Sequence, residues 1–539
     1  MKKHLPWFII SSILLWIAWP PVPYTAPILW VAFIPLLYGI ESILLSDSKN
    51  KGRKIFWSTF LSISLWNTAS IYWVYNAMNA YLPAHTSLLI SLIPFTLGPF
   101  LLTTAFWIYY KIRTRKSIYH GLLALPGLWI LAEYLHQTWD LAFPWMSLGN
   151  GFANFHQLIQ WYEITGIYGG AIWIWSINIL LFLIFLHYKK IYPLVRLKQV
   201  WSIVAVVILL PSLYSIIKYA TYEEHFNPSH IVVAQPNIDP YQKFGSIHPD
   251  DQLQTLIRLS SEVAQTNTEF FIWPETAISA PGGINEEEFR DYPAYEKMQE
   301  FLENYKNGSI LSGIESYRLF PMAVSLSAHP FGNQYIDFYN SSVLIDDSSI
   351  LQYYHKSKLV PGVENLPFGE FLSFMKPLFE HFGGTTGGYG SQEAPNALFA
   401  QSGIGAAPVI CYESIWGNYV NRYIQEGAQF IAIVTNDGWW GNTSGKDQHL
   451  LYAKLRAIEN RRWVARSANT GISAFINQRG DITQQTAWWK EASLAEEINL
   501  SEGMTFYAKH GDWIVYISSL LSLSVLVSLL FRHSFIRKD

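Results

Sequence analysis

The chain has 539 residues, half of them hydrophobic and only 14% charged, where an average soluble domain carries about 25% charged residues. A net charge of −3 offers no basic field, which excludes nucleic acid as a partner. The one cysteine, Cys411, excludes an internal disulfide framework and a thiolate zinc cage; with no HExxH and no paired Cys/His spacing, no metal and no cofactor are expected.

The charge deficit is concentrated at the two ends of the chain. Apolar runs at about 5–20, 28–46, 56–76, 88–110, 119–135, 167–187, 201–219 and 513–531 read as eight membrane-spanning helices. Lys2 and Lys3 give the first run the look of a signal peptide, but Trp19-Pro20-Pro21 stands where a cleavage site would, so a retained helix is expected. The loops alternate in charge. Lys49, Lys51, Arg53 and Lys54, then Lys111, Arg113, Arg115 and Lys116, then Lys189, Lys190, Arg196 and Lys198 fill every second loop, and Arg532, Arg537 and Lys538 follow the last run. The loops at 21–27, 77–87 and 136–166 carry no Lys or Arg. Positive charge stays cytoplasmic, so both termini are expected inside, in a multi-pass protein of a bacterial inner membrane. This predicts seven helices in 1–221, a periplasmic domain at 222–510, and an eighth helix with a cytoplasmic tail at 511–539. Glu41 and Glu133 lie in or near spans. They fit helix ends or the buried ionisable groups of a transporter, the competing class.

Residues 222–510 alternate short β-prone runs with helical stretches, an α/β organisation. Strands are predicted at 231–235, 270–273, 309–313, 343–345, 350–354, 407–410, 430–434, 464–468 and 472–476, with a hairpin turn at 346–349. Helices are predicted at 250–265, 295–306, 414–426 and 446–460.

Three strand ends carry chemistry. Glu275 follows Phe271-Ile272-Trp273-Pro274, Lys356 follows Tyr354-His355, and Cys411 follows Ala407-Pro408-Val409-Ile410. A thiol with an ordinary pKa near 8.5 needs a base to become a nucleophile. A carboxylate can take that proton, and a nearby cation can stabilise the oxyanion that follows. Glu, Lys and Cys together thus make an acyl-transfer set. Each has an ordinary alternative: a strand-end cap for Glu275, a solvated loop cation for Lys356, a small buried hydrophobe for Cys411. His449, after Asp447-Gln448, reads as structural rather than as a ligand.

Trp273-Pro274-Glu275, Tyr354-His355-Lys356 with Leu359-Val360-Pro361, and Ile410-Cys411-Tyr412-Glu413, in this order, resemble the Glu-Lys-Cys motifs of the nitrilase superfamily. With eight spans around the domain, the whole chain is similar to that superfamily's membrane-embedded branch, the apolipoprotein N-acyltransferases. Phe143-Pro144-Trp145, Ala234-Gln235-Pro236-Asn237-Ile238 and Thr435-Asn436-Asp437-Gly438-Trp439 extend the likeness.

The resemblance implies a nitrilase-like αββα sandwich joined to a polytopic helical membrane domain. It implies Glu275 as general base, Lys356 as oxyanion stabiliser and Cys411 as nucleophile. Glu364 and Glu413 become supporting carboxylates, and the backbone N–H of Tyr412 part of the oxyanion hole. The implied reaction moves an acyl group from a phospholipid, phosphatidylethanolamine above all, through a Cys thioester. The acceptor is the α-amine of a diacylglyceryl apolipoprotein, and the enzyme is expected to be a monomer. Trp439, Trp440 and Trp145 are expected to contact substrate, as is Phe244, where relatives often carry Trp. The Gly-rich connection at 362–400 is expected to form an amphipathic lid or a packed helical hairpin. A membrane-tethered amidase using the same residues with water is the alternative enzyme.

Overall fold

The computed structural model describes residues 3–80, 82–240, 243, 247–369 and 388–529. They divide into two compact units. One comprises the chain up to Tyr72, Leu88–Ala220 and the chain from Asp512; the other comprises Trp73–Ser87 and Thr221–Gly511.

In chain order, the first helices are α1 (Leu5–Ile17), α2 (Ile34–Leu45), α3 (Lys51–Ile71), α4 (Trp73–Asn79), α5 (Ala84–Arg115), α6 (Ile118–His136), α7 (Tyr162–Tyr188) and α8 (Leu197–Thr221). Among the described residues, five helical segments are long and apolar enough to cross a membrane: Ala26–Leu45, α5, α6, α7 and α8. Two apolar helices, α1 and the C-terminal Trp513–Ser528, are shorter.

The run expected as one helix at 28–46 is broken. A 3-10 turn at Ala26–Trp30 precedes α2, and Asn178 of α7 satisfies the freed backbone. Its Oδ1 accepts from the Phe33 N–H at 3.0 Å, and its Nδ2 donates to the Leu29 carbonyl at 2.7 Å. An apolar interior offers no water for such groups, so a side chain must serve. Phe33 also stacks on Trp175 at 4.4 Å in an aromatic core that includes Trp129. The C-terminal helix packs on α6 at Gly127, where a Cβ would stand 2.1 Å from the Ser518 carbonyl oxygen. Such small residues allow helices in lipid to approach closely.

The second unit holds β1 (Pro228–Gln235), β2 (Thr268–Ile278), β3 (Ile284–Asn285), β4 (Ser309–Phe320), β5 (His329–Phe331), β6 (Gln334–Ile345) and β7 (Gln352–His355). It continues with β8 (Leu398–Phe399), β9 (Gly405–Ile410), β10 (Phe430–Thr435), β11 (Val464–Ala468), β12 (Ala474–Ile476), β13 (Ile482–Gln485) and β14 (Ala492–Asn499). Its main helices are α9 (Pro249–Val263), α10 (Pro293–Leu302), α11 (Gly417–Gln425) and α12 (Ser444–Asn460).

One sheet runs β14-β1-β2-β4-β6-β5, with β3 beside β4 and β7 beside β6; the other runs β13-β12-β11-β10-β9-β8. Alternation along β2 decides the layers. Phe271 and Trp273 pack with Leu256, Leu259, Met298 and Phe301 of α9 and α10. Phe270, one residue before Phe271 and so on the opposite face, meets Phe430 of the other sheet at 5.1 Å. Helices α11 and α12 pack on the second sheet through β9 and β11. The result is a four-layer αββα sandwich.

The predicted hairpin at 346–349 joins β6 to β7, which pair antiparallel. Strand β6 is much longer than its predicted part, because buried Asp337, Asn340, Ser341 and Ser342 interrupt the apolar pattern. Polar β13 and β14 escaped prediction for the same reason. Glu275 lies within β2 rather than beyond it.

Candidate active site

Three adjacent pieces of the sandwich carry the chemistry. The register of β2 against β4 breaks between Trp273 and Ile278, and Thr276 there takes φ +49°. Gly313 of β4 makes room for this irregularity, since a Cβ on it would stand 2.6 Å from the Glu275 Cα. Lys356 follows β7 directly, its N–H donating to the Asn340 carbonyl at 2.9 Å. Cys411 follows β9, opens the 3-10 turn Cys411–Ile415 and has φ +49°. A left-handed conformation at non-glycine residues is strained and persists only where the surroundings enforce it. Here it falls at the cysteine and beside Glu275.

Lys356, 1% exposed, donates from Nζ to Glu275 Oε1 at 3.0 Å and to Glu364 Oε1 at 2.8 Å. Asn340 Nδ2 donates to the same two oxygens, at 2.8 and 3.0 Å. The other Glu364 oxygen accepts from the Val360 N–H at 2.7 Å. Burial disfavours the lysine's charge, but Glu275 and Glu364 outweigh it and raise Lys356 well above its ordinary value. The Cys411 thiol is pushed up by burial and by the Glu275 charge, against the pull of Lys356 and a hydrogen bond with Thr435. At rest the sulfur therefore keeps its proton.

Glu413 is completely buried and ties the cysteine turn to the lysine loop. Its Oε1 accepts from the Tyr354 hydroxyl at 2.5 Å and from the N–H groups of Ser357 and Lys358 at 2.7 and 3.1 Å. Its Oε2 accepts from the Ile410 N–H at 3.0 Å. Burial raises this carboxyl, and these bonds partly offset the shift. Tyr412 is buried against Trp416, ring centroids 4.8 Å apart.

A second buried cluster lies against the Cys411 backbone. His449 Nε2 is 3.2 Å from the Cys411 carbonyl oxygen and 2.9 Å from Ser414 Oγ, which itself donates to that carbonyl at 2.8 Å. His449 Nδ1 is 3.0 Å from Asp437 Oδ1, and Arg466 donates to Asp437 Oδ2 at 2.6 Å. Burial alone would raise the Asp437 carboxyl; Arg466 and His449 outweigh it and hold it well below the carboxylate range.

The structure thus brings Glu275, Lys356, Cys411, Glu364 and Glu413 into one buried site. Trp440 stacks at an angle on Trp73, 5.0 Å away, and meets His449 edge-on at 5.3 Å; Trp439 is half-buried. Trp145 belongs to the other unit and is fully buried beside Phe143. Phe244 lies outside the described residues, as do residues 370–387 of the expected lid.

Sequence reasoning missed two residues. Asn340 gave only a polar interruption in a strand. Buried Lys243 donates to the Glu275 carbonyl at 3.1 Å and to Thr276 Oγ1 at 2.7 Å, and burial lowers it from 10.5 to about 8. Nothing in its sequence neighbourhood sets it apart from a solvated loop lysine.

Residues 233–505 match the carbon-nitrogen hydrolase family, and residues 11–180 match the apolipoprotein N-acyltransferase N-terminal domain. The chain is 28% identical to an apolipoprotein N-acyltransferase of Chlorobaculum tepidum, over 95% of this chain and 94% of that one. It is 27% identical to one of Geobacter metallireducens, over 97% and 95% of the two chains. An amidase of the nitrilase superfamily from Nesterenkonia AN1 aligns with 55% of this chain and 99% of its own, with TM-score 0.36 and 13% identity.

Proposed function

The chain belongs to the carbon-nitrogen hydrolase family, and on that premise we propose that it N-acylates the N-terminal S-diacylglyceryl cysteine of apolipoproteins. The observation that carries this reading over an amidase is the match that continues through the helical residues 11–180. A hydrolase of soluble amides has no need of them. Relatives named apolipoprotein N-acyltransferase, aligned over nearly the whole chain, support it.

The chemistry divides into two balanced steps. In the first, Cys411 attacks the sn-1 ester carbonyl of a phospholipid, phosphatidylethanolamine being the expected donor. Glu275 takes the thiol proton as the C–S bond forms. The oxyanion is met by Lys356 and by the backbone N–H of Tyr412. The glycerol oxygen leaves with the proton from Glu275, giving lysophospholipid and a thioester. In the second step, the α-amine of the apolipoprotein attacks that thioester. Glu275 takes the amine proton and returns it to sulfur as the C–S bond breaks. The products are an amide and the free thiol. Glu364 holds Lys356 toward Glu275, and Glu413 fixes the cysteine turn against the lysine loop. Trp439 and Trp440 are assigned to substrate contact.

Five long apolar helical segments, the shorter α1 and C-terminal helix, and α3 with its basic first turn fit eight spans. The basic loops support a reading with both termini in the cytoplasm and the sandwich in the periplasm. The protein is read as a monomer.

The test is a reconstituted assay with phosphatidylethanolamine and a synthetic diacylglyceryl lipopeptide, read by product mass. Acylation of the peptide's α-amine by the wild type, and none by Cys411→Ala, is the expected result. Release of free fatty acid with no acylated peptide would instead select hydrolysis.

A further inference from the structure

Among the described residues of the helical unit, Glu41, Glu133 and Asp512 are buried carboxylates, and the first two differ in one respect. Glu41 is paired with Arg113 at 3.0 Å and accepts from the Tyr109 hydroxyl. Among the described residues Glu133 has no cation partner: its Oε1 accepts from Trp129 Nε1 at 2.6 Å and from the Leu148 N–H at 2.7 Å, while its Oε2 is buried with no hydrogen-bond partner there. Glu133 is only 6% exposed. An ionisable group held this way inside a membrane segment is expensive, and such groups mark binding or transport sites.

Glu133 also lines a cavity with Asn67, Leu102, His136, Phe143 and Ser147, which offers about 20 Å³ of space, enough for one water-sized group. All of these residues belong to the helical unit. His136, one helical turn after Glu133, receives a hydrogen bond at Nδ1 from Trp139 Nε1 at 3.2 Å. The His136 proton is therefore on Nε2, which serves as a donor. Nε2 then has no lone pair for a metal ion, and the Nδ1 lone pair is taken by Trp139. The cavity is thus lined by a carboxylate that keeps one acceptor oxygen without a partner among the described residues and by an imidazole with an N–H donor, beside Asn67 and Ser147.

We propose that this cavity binds the primary ammonium group of a lipid, with Glu133 Oε2 accepting from the ammonium and His136 Nε2 donating to a neighbouring lipid oxygen. An ammonium group is water-sized and supplies the missing charge. An aminophospholipid headgroup and the free N-terminus of a diacylglyceryl lipopeptide both carry this chemistry. The lipid occupant rests on the reading of these helices as membrane-spanning, and the binding itself does not depend on acyl transfer.

The test uses the full-length protein in detergent and measures lipid retention by native mass spectrometry. The probes are dioleoyl phosphatidylethanolamine against dioleoyl phosphatidylglycerol, and a diacylglyceryl lipopeptide with a free against an acetylated amine. A charge-assisted contact predicts a preference of about tenfold for the amine-bearing member of one pair. Glu133→Gln keeps the acceptor for Trp129 and Leu148 but loses the charge, and should abolish that preference. Gly98→Ala should weaken it as well, because its Cβ would stand 3.1 Å from His136 Nε2. Preference within the phospholipid pair identifies the headgroup as the source, and preference within the lipopeptide pair identifies the N-terminus. Cys411→Ala should keep the preference, so failure of the acyltransferase reading would leave this result standing. The proposal is overturned if neither pair is discriminated, if Glu133→Gln keeps the wild-type preference, or if Cys411→Ala loses it.

Discussion

Two buried polar clusters meet at Cys411, and they are built to opposite ends. The first, Glu275, Lys356, Glu364 and Asn340, sets two carboxylates against one ammonium. It acts on the thiol through its charges. The second, Asp437, His449, Arg466 and Ser414, pairs its carboxylate with the Arg466 guanidinium and touches the Cys411 backbone. An excess carboxylate beside a protonated thiol can receive a proton; a carboxylate clamped by arginine cannot. The first cluster is suited to proton transfer, and the second to holding the strained cysteine turn in place.

The sharpest way to break this comparison is to remove function without removing fold. Cys411→Ala should abolish N-acylation. Glu275→Gln should lower it by roughly 10³-fold, as expected for a lost general base, with a melting temperature near wild type, because Gln still accepts from Lys356 and Asn340. The converse is Asp437→Asn, which leaves the Arg466 charge buried and unpaired. It should destabilise the protein by about 3–5 kcal/mol, while molecules that remain folded still acylate peptide; denaturation and activity are measured on the same preparation. If Asp437→Asn spares stability and removes activity, the division of labour is wrong.

Smaller effects sharpen the picture. Gly313→Ala forces a methyl group into the Glu275 backbone and should reduce turnover by about 10²-fold, the scale of a 1 Å misplacement, with little effect on Cys411 alkylation. The alkylation rate itself reports the thiol. Since burial and Glu275 raise Cys411 while Lys356 lowers it, the wild-type rate should climb only at pH values above those of an ordinary thiol. Glu275→Gln should move that climb to lower pH and Lys356→Met to higher pH. A wild-type rate that is already at its plateau at neutral pH would contradict a protonated resting thiol.

What the sequence revealed follows the same physical line. Lys356 and Cys411 directly follow β7 and β9, and a chemically capable residue after an apolar run is visible in one dimension. Asn340 lies inside a strand whose buried polar residues spoil the alternation. The Asp437–His449–Arg466 cluster is assembled from three elements whose residues are ordinary one at a time, so His449 read only as structural. In the helical unit, the apolar run at 28–46 continues across a break that Asn178, far along the chain, makes tolerable. Hydropathy marks where a chain enters lipid, and it is blind to a backbone bond supplied from elsewhere.

The most direct test of the central claim is the intact mass of the purified protein after incubation with phosphatidylethanolamine, before and after addition of a diacylglyceryl lipopeptide. The account predicts a gain of one acyl group, located on Cys411, that disappears as the peptide's amine becomes acylated. Acylated peptide formed with no acyl-enzyme, or an acyl group on a residue other than Cys411, would contradict it.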